Sequence, residues 1–600
     1  MANFYKDNED ILFLFKHLDI PGVADVMEEG FKFAKEFDYA PANAAEAIEN
    51  YDLVLDSVGK LSGDFIWPRS EGIDRQGSHL GEDGKVTYAD GIRESLDMLA
   101  KANVMGFTLP YRFGGLNFPN VVYSIAIEMV SRGDASLMNI FGLQGIAETI
   151  NYFASEEIKQ KYLPDFAAGK VTGAMVLTEP DAGSDLQSCK LKAFQGDDGQ
   201  WYLHGVKRFI TNGCGEVLLV LSRSEPDRSG GLGLSLFVCD RGPTVHVRRI
   251  EDKLGIHGSP TCELFFNNTP CELVGERRRG LAPYVMSLMN GARLGISGQS
   301  LGIAEAAYRI ARDYAASRKQ FGAAIEKLPA VRDLVIEMKL EIEVARALLY
   351  ETSRVVDYDI GYTKILELNP PADKEQLKKL KDLSRRYGRY AGMLTPMTKY
   401  YSSEMSNRVT YNSIQVLGGS GFMRDYPCER LARDARITTI YEGTSQLQVV
   451  AAVRGVCSGT CEKYIAELAA GHYEPQVQDL LAILKENTEL MLKAIAFVKE
   501  KGVEYMDLHG RELVDVAICI ICGYLFCSQA SSKIDMEVET APGDNGQNKI
   551  SMKKRKELVA RRYITKNASL IKSLIDMVLS GNVSSLEEYE ALAGPVPTEK

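Results

Sequence analysis

The 600-residue sequence lacks any excess of positive charge, and this limits the partners that it can bind. It contains 70 Lys plus Arg against 81 Asp plus Glu, which gives a formal net charge of −11. Proteins that bind nucleic acid gain affinity when basic side chains displace the counterions of the phosphate backbone. The acidic balance therefore excludes nucleic acid as the main partner, although a local basic pocket for a phosphorylated small molecule stays open.

The N-terminal segment lacks the features of a secretory signal or a transit peptide. Three acidic residues, Asp7, Glu9 and Asp10, come before a short apolar run in the first twenty residues. A secretory signal needs a basic start and a longer apolar core, and a mitochondrial transit peptide is basic and poor in acids. We therefore expect a cytoplasmic protein.

Long apolar runs and disulfide patterns are also missing. The most apolar stretch, residues 516–527, is too short to span a bilayer and predicts a buried helix. The eleven cysteines are scattered. Two pairs, Cys457 with Cys461 and Cys519 with Cys522, have a spacing that metal ligands use, but no second pair or histidine lies close by. We expect reduced thiols and no metal site.

The spacing of the hydrophobic residues divides the sequence into one helical region, one β region and two further helical regions. Hydrophobic residues make up 45% of the chain and charged residues 25%, as in a globular protein that is too long for one core. The prediction is an α+β fold with an N-terminal helical domain (1–170), a central β-domain (171–282), a helical bundle (283–458) and a C-terminal helical domain (459–600). The polar residues 531–548 predict a mobile loop.

Strand signals are confined to the β region. Asp198 and Gly199 lie between two extended segments, which predicts a β-hairpin. Further strands are predicted at residues 218–221, 234–238, 245–250 and 262–266, with turns rich in Gly, Pro and Asn between them.

Three short segments are rich in residues that helices and strands avoid. Residues 177–185 combine glycine with hydroxyls that can donate to a ligand oxygen. Residues 415–422 place Gly418 and Gly419 in otherwise helical sequence, where backbone amides can face an anion. Residues 440–446 place Glu442 before an apolar run, where its carboxylate could face a cavity. Taken singly, these segments are better interpreted as an acidic turn, a simple turn and a helix cap.

Together the three segments resemble the acyl-CoA dehydrogenase flavoprotein family, over the chain from roughly Met1 to Val456. The first segment follows the family's N-terminal signature except at Val176, and residues 415–434 match its C-terminal signature at every specified position. Residues 209–213 resemble the strand that lies against the flavin, with Phe209 where many members carry Trp. Residues 318–322 resemble the family's arginine-led flavin contact. The resemblance implies the acyl-CoA dehydrogenase fold, with a barrel-like β-domain.

The same resemblance implies FAD as the cofactor, between the β-domain and the helical bundle. The expected FAD contacts are Leu177, Thr178, Ser184, Phe209, Ile210, Thr211, Arg318, Phe321, Gln415, Leu417, Gly418, Gly419, Thr444 and Gln446. Arg318 and residues 415–419 would reach the FAD of a neighbouring subunit, so at least a dimer is implied. The expected substrate contacts are Ser184, Asn290, Arg293, Tyr441 and Gly443, with Asn290 and Arg293 on the CoA portion.

Glu442 aligns with the catalytic base of related enzymes. Removing the α-proton of a thioester needs a base within reach of that carbon, donors on the thioester oxygen and an electron acceptor behind the β-carbon. Some family members carry the base on the helix that here holds Ala292, and alanine cannot serve. The resemblance therefore implies that Glu442 removes the α-proton while the β-hydride goes to flavin N5, giving the trans-2-enoyl-CoA.

The chain is longer than a family member with only the three common domains, which would end near Ser458. The added helical residues, with an extension at residues 8–20, resemble a long subgroup that includes 3-methylmercaptopropionyl-CoA dehydrogenase. In such long forms the added domain covers the surface that tetrameric relatives use, which implies a homodimer. Electron-transfer flavoprotein is the implied electron acceptor. The basic residues 551–562 leave weak membrane-surface association open, but we favour solvated side chains.

Two other functions stay open. An acyl-CoA oxidase would perform the same first half-reaction and pass the electrons to oxygen, although both signatures are more typical of dehydrogenases. A catalytically silent scaffold or assembly member of the family is disfavoured because Glu442 and the flavin segments are retained. The length and chemistry of the acyl group are open at this stage.

Overall fold

The computed structural model describes residues 2–540 and 548–597. The chain forms two compact units. The first unit contains residues 1–388 and 398–445, and the second contains residues 389–397 and 446–600. The boundary between the units therefore crosses one long helix twice. It also falls after residue 445, shortly beyond the segment that carries Glu442.

Residues 9–167 of the first unit form helices and one short antiparallel strand pair. Side-chain caps explain several helix starts, since Asn8, Asn43, Asp134 and Ser155 each accept hydrogen bonds from the first turn of the helix that follows. The helices are α1 (Glu9–His17), α2 (Ile20–Met27), α3 (Ala44–Lys60), α4 (Ser70–Gln76), α5 (Asp90–Lys101), α6 (Asn120–Gly133), α7 (Ala135–Gly142), α8 (Ile146–Phe153) and α9 (Glu156–Ala167), and the strands are β1 (His79–Leu80) and β2 (Val86–Thr87).

The central part of the first unit is a closed β-barrel. Its strands are β3 (Gly173–Val176), β4 (Lys192–Gln195), β5 (Trp201–Thr211), β6 (Val217–Arg223), β7 (Leu234–Asp240), β8 (Val245–Ile250) and β9 (Thr261–Val274). The ring closes because β6 pairs with β7, β7 with β9, β9 with β5, β5 with β4, and β4 again with β6. Each predicted strand is present, and Asp198 and Gly199 lie in the β4–β5 hairpin as predicted.

A β-bulge interrupts the pairing of β5 with β9. Lys207 lies opposite Leu264 and Ile210 lies opposite Cys262, so β5 carries one residue more than its partner. Phe209, in this bulge, has a left-handed φ of 60° and is 51% exposed. Bulges often re-aim a side chain beside a functional site. Here the bulge turns Phe209 away from the barrel core while Ile210 enters it at 2% exposure.

Long helices follow the barrel. They are α10 (Met286–Ser317), α11 (Pro329–Leu368), α12 (Lys374–Leu417), α13 (Gly419–Phe422) and α14 (Cys428–Arg436), with a small β10–β11 pair (Lys319–Gln320 and Ala323–Ala324) between α10 and α11. α6 packs against both α10 and α11.

A buried ionic cluster lies inside this bundle. The fully buried Arg346 of α11 donates to Asp10 at 2.7 Å, Glu128 at 2.7 Å and Glu305 at 2.8 Å. The partners lie on α1, α6 and α10, so one guanidinium joins four helices. Such a cluster is satisfied only when every partner is in place.

The described part of the second unit is helical apart from one antiparallel strand pair. Its elements are α15 (Ser445–Cys457, counted here from Gln446), α16 (Thr460–Ala469), α17 (Gln478–Lys501), α18 (Val503–Leu508), α19 (Gly510–Ala530), β12 (Glu537–Glu539), β13 (Lys549–Ser551), α20 (Met552–Leu579), α21 (Ser584–Glu587) and α22 (Tyr589–Ala593). The prediction of a loop over residues 531–548 is wrong at residues 537–539, where β12 pairs with β13. Residues 541–547 lie outside the described residues.

The apolar stretch in the second unit forms a longer helix than the sequence indicated. α19 is 21 residues long, with a mean hydropathy of 1.9, and it alone among the described helices has the length and composition to cross a membrane. However, 83% of its most apolar window is buried inside the protein, and it packs against α17 and α20. The prediction of a buried helix is confirmed. The reason given for it, that the apolar stretch is too short to span a bilayer, is wrong because the helix is long enough.

The basic face of α20 is paired with acidic side chains of its own unit. Lys553 lies 3.8 Å from Glu474, Lys554 lies 2.8 Å from Glu557, and Lys572 lies 3.1 Å from Glu486. Arg561 also pairs with Asp479. These partners reduce the positive field that attraction to an anionic lipid surface would require.

Candidate active site

Glu442 lies in the short connection between α14 and α15. Its φ is 55° and that of the following Gly443 is 91°, so two consecutive residues have left-handed backbone. Glu442 is half-buried, and its desolvation raises its pKa to about 7, although Lys399 and Arg293 oppose the shift. A carboxyl group with a pKa near neutrality can both accept and hold a proton at physiological pH.

Two cations face Glu442 from neighbouring helices. Lys399 of α12 is fully buried, and its Nζ donates to the carbonyl oxygen of Gly443 at 2.7 Å. Burial lowers the pKa of Lys399 to about 7. Arg293 of α10 is half-buried, its Nη1 donates to Asn290 Oδ1 at 3.0 Å, and burial lowers its pKa while Glu442 raises it. Asn290 itself is exposed.

Sequence reasoning missed Lys399. Its only sequence signal is a lysine between small polar residues, such as Thr398 and Ser402, that are also fully buried on α12. A lysine at a buried helix position needs a polar partner. That partner, the Gly443 carbonyl, is 44 residues away in sequence.

Tyr441 is held by two amides that the sequence did not indicate. Its hydroxyl contacts Oε1 of Gln299 and lies 3.3 Å from Oδ1 of Asn139. Gln299 Nε2 in turn donates to Asn139 Oδ1 at 2.8 Å and to the Ala135 carbonyl at 2.9 Å. Because these residues lie on α10 and α7, the Tyr441 ring is fixed by two helices beside Glu442.

The first predicted flavin segment is fixed by a buried ion pair. Lys207 of β5 lies 2.9 Å from Glu179 and donates to the Leu177 carbonyl at 2.6 Å. Leu177 is buried, whereas Thr178 is half-buried and Ser184 is exposed. The Leu177 side chain therefore belongs to the core, and only its backbone can face a ligand.

The β5 bulge lies against the same segment. The backbone N–H of Arg208 donates to the Thr178 carbonyl at 3.0 Å. Phe209 is exposed and Thr211 is half-buried, so both can face a ligand. The Ile210 side chain lies in the barrel core because of the bulge, so only its backbone could make the predicted FAD contact.

The second group of predicted flavin residues lies at the ends of α10 and α12. Arg318, Phe321, Gln415, Gly418 and Gly419 are all exposed. The Tyr314 hydroxyl lies 3.4 Å from Ser420 Oγ, which ties the end of α10 to α13. The Leu417 side chain is buried at 3% exposure, so only its backbone could make the predicted FAD contact.

The glycine pair leaves open space at this end of α12. Gly418 has a φ of 61°, which glycine adopts without steric cost. A Cβ atom added to Gly418 or Gly419 would meet nothing within 4 Å. Unobstructed backbone of this kind suits the close approach of a phosphate-bearing ligand.

The residues after Gly443 are divided between the two units. Thr444 is half-buried, and Ser445 Oγ donates to Glu404 Oε1 of α12 at 2.6 Å. The predicted FAD contact Gln446 is exposed and is the first residue of this stretch in the second unit. The first unit thus contains every other predicted site residue.

Comparison with known proteins identifies the class of the protein as an oxidoreductase that acts on acyl-CoA thioesters. Models of the acyl-CoA dehydrogenase N-terminal domain, middle domain and C-terminal domain match residues 52–170, 174–269, and 279–361 with 380–456, respectively. A further model, acyl-CoA dehydrogenase C terminal, matches residues 457–541. The chain belongs to the acyl-CoA dehydrogenase family of flavoproteins.

Individual relatives agree with this assignment. The chain is 34% identical over 369 residues to an acyl-CoA dehydrogenase of Bacillus subtilis, covering 60% of this chain and 89% of the relative. It is 31% identical over 470 residues to 3-methylmercaptopropionyl-CoA dehydrogenase of Ruegeria pomeroyi, covering 73% and 74%. A Bacillus anthracis acyl-CoA dehydrogenase structure complexed with FAD superposes with a TM-score of 0.72 at 21% identity over 92% of each chain, which shows the shared fold.

Proposed function

We propose that this protein is an FAD-dependent acyl-CoA dehydrogenase in which Glu442 removes the α-proton of the thioester. The observation that carries the proposal is the Glu442 carboxyl, whose pKa burial raises to about 7, with Arg293 and Lys399 beside it. At that pKa a substantial fraction of the carboxylate is ionised at neutral pH, and it is more basic than an exposed glutamate. The product would be the trans-2-enoyl-CoA.

The cations beside Glu442 define how the base works. Arg293 and Lys399 favour the ionised form before substrate binds, because both lower the pKa against burial. Closure of the site by substrate would exclude water and strengthen these interactions. The backbone N–H of Glu442 would donate to the thioester oxygen, as the family resemblance implies, and stabilise negative charge that develops there.

The residues present fit a bound FAD. Thr178, Ser184, Phe209 and Thr211 offer hydroxyls and an aromatic face on adjoining backbone. Arg318, Phe321, Gln415, Gly418 and Gly419 offer a cation, an aromatic ring and open backbone for the diphosphate, and Thr444 and Gln446 would complete the set. Bound FAD would supply the hydride acceptor. Ile210 and Leu417 would contribute backbone only.

The substrate would lie along Tyr441 and α10. Asn290 is exposed one turn before Arg293, and the two side chains are hydrogen-bonded to each other, so they can hold the CoA portion together. Ser184 and Gly443 would contact the thioester end. The polar ring made by Tyr441, Gln299 and Asn139 would border the acyl group.

A homodimer and electron transfer to electron-transfer flavoprotein complete the proposal. Three aromatic side chains near the glycine pair are highly exposed in the single chain: Phe321 at 92%, Phe422 at 75% and Tyr411 at 68%. Large apolar side chains with this exposure are typical of interfaces. Sedimentation of the holoprotein would test the dimer, and a monomer at micromolar concentration would contradict it.

The experiment that tests the catalytic proposal is an anaerobic titration of the FAD-loaded protein with a panel of acyl-CoAs. Bleaching of the oxidised flavin band by a thioester would support it and would identify the acyl class. Failure of every short, branched, aromatic and sulfur-containing thioester to bleach the band would contradict it and favour a silent family member.

An acyl-CoA oxidase is the second candidate, and it differs only in the electron acceptor. After reduction by substrate, the rate of flavin reoxidation by oxygen is compared with the rate with electron-transfer flavoprotein. Faster reoxidation by oxygen, with stoichiometric peroxide, would favour the oxidase.

A further inference from the structure

The backbone that carries the base is held in an unfavourable conformation. Glu442 is a non-glycine residue with left-handed φ, and Gly443 continues that conformation. A residue with a Cβ atom is sterically disfavoured in the left-handed region. Such a conformation persists only where the surrounding structure determines it.

α12 contacts this backbone on both sides of Thr444. Lys399 Nζ donates to the Gly443 carbonyl at 2.7 Å, and Glu404 Oε1 accepts from Ser445 Oγ at 2.6 Å. The two α12 side chains are five residues apart on one helix. A hydrogen bond from a fully buried ammonium is a strong one, because it is charge-assisted and shielded from water.

We propose that Lys399 is a positioning residue for catalysis, which fixes the Gly443 carbonyl and supplies the positive charge that keeps Glu442 available as an anion. This inference rests on the proposed function of Glu442. Lys399 does not exchange protons with substrate, since its ammonium is committed to a backbone carbonyl. Its role is therefore exerted through the conformation and charge of the neighbouring residue.

The charged groups around Lys399 define the direction of its effect. Glu442 and Glu404 favour the ammonium, whereas burial and Arg293 disfavour it. Conversely, Lys399 and Arg293 favour the Glu442 carboxylate against burial. Loss of the Lys399 charge removes one of these two cations, so the pKa of Glu442 must rise. Because the two groups interact, the observed midpoint belongs to the pair.

The test compares three variants of the FAD-loaded protein. Lys399→Met removes the charge and the donor, Lys399→Arg keeps both, and Ser445→Ala removes the neighbouring anchor without changing charge. Flavin reduction by a saturating acyl-CoA is measured in single turnovers from pH 5.5 to 9.

For Lys399→Met we expect the midpoint of the pH profile to rise by about one unit and the rate at pH 7 to fall about fivefold to tenfold. Lys399→Arg should keep the midpoint near that of the wild type. Ser445→Ala should slow reduction without moving the midpoint. A Lys399→Met protein with an unchanged midpoint, or one that behaves like Ser445→Ala, would overturn the proposal.

A second measurement does not depend on turnover. Infrared titration can follow the protonated carboxyl band of Glu442, identified as the band that Glu442→Gln lacks. The midpoint of this band should be higher in Lys399→Met than in the wild type, and equal midpoints would refute the proposed charge effect. If no acyl-CoA reduces wild-type flavin while this shift is present, the proposed function fails, and only the effect of the Lys399 charge on the pKa of Glu442 stands.

Lys399→Gln serves if Lys399→Met does not fold. Glutamine removes the charge but keeps a donor for the Gly443 carbonyl. The same shift in the infrared midpoint is expected, and its absence would count against the proposal in the same way.

Discussion

The first unit contains two carboxylates with opposite properties, the buried Glu305 and the half-buried Glu442. Burial disfavours the charge on both. Glu305 is surrounded by Lys339, Arg309, Arg346 and Arg132, and these cations hold its pKa well below the usual value. Lys399 and Arg293 oppose the effect of burial on Glu442, and its pKa nevertheless rises to about 7.

The comparison shows that ionic partners, and not burial alone, set the pKa of a carboxyl group in this unit. Arg346 makes contacts of 2.7–2.8 Å to three carboxylates, and the Tyr350 hydroxyl donates to Glu128 at 2.6 Å. A carboxylate with strong ionic partners is a weak base. The Glu442 carboxyl retains basicity because its cations compensate for burial only in part.

The largest expected effect comes from replacing Glu442, and it is on the rate of flavin reduction. Glu442→Gln keeps the shape of the side chain but cannot accept the α-proton, so flavin reduction should slow by about 10²–10⁴-fold. Stopped-flow reduction of the FAD-loaded variant measures this. The variant should still bind FAD and acyl-CoA, and a rate within tenfold of the wild type would exclude Glu442 as the base.

The next largest effect comes from replacing Arg346, and it is on the free energy of unfolding of the first unit. Arg346→Met leaves Asp10, Glu128 and Glu305 without their shared cation, and an uncompensated buried charge costs about 3–5 kcal/mol. Denaturant unfolding, followed by fluorescence, should show the first transition at a much lower midpoint.

Arg112→Ala is the matched control, because Arg112 pairs with Glu156 at 2.9 Å on the surface. Exposed pairs contribute about 0–1 kcal/mol. If Arg346→Met destabilises the protein no more than Arg112→Ala does, the stabilising role of the ion pairs between Arg346 and its carboxylates, Glu305 included, would be wrong.

A third prediction concerns the pH dependence of stability. Since the folded pKa of Glu442 is raised above its ordinary value of 4.5 to about 7, its favourable contribution is present below about pH 4.5 and is lost as the pH rises through 7. Glu442→Gln should therefore be more stable than the wild type at pH 8, by on the order of 1–3 kcal/mol. Thermal unfolding at pH 5 and pH 8 tests this, and an equal difference at both pH values would contradict it.

The smallest expected effect is on the pH dependence of flavin reduction in the wild type. Below its midpoint, the rate of flavin reduction in the wild type should fall about tenfold for each pH unit, because one carboxylate must be ionised. The midpoint should lie near pH 7. A profile that is flat from pH 5.5 to 8 would mean that Glu442 has the pKa of an ordinary carboxylate.

Much of this architecture could be predicted from the sequence because the signals are local. The order of helices and strands, the hairpin at Asp198 and Gly199, and the helix break at Gly418 each depend on a few adjacent residues. Hydrophobic periodicity and turn chemistry report such features directly.

The rest depends on contacts between distant residues. Lys399 and Gln299 contact the Glu442 segment across 44 and 142 positions, and no local pattern identifies these pairs. The inward side chain of Ile210 results from a bulge that exists only when β5 pairs with β9. For the same reason, the closed ring of strands followed from pairing and not from any single strand.

The link between Arg346 and Asp10 also has a consequence for protein synthesis. The two residues are 336 positions apart, yet each completes the other's buried environment. At roughly 5–20 residues per second, a ribosome delivers Arg346 about 20–70 s after Asp10. During that interval the Asp10 carboxylate lacks its Arg346 partner, so α1 can complete its buried environment only after α11 has been synthesised.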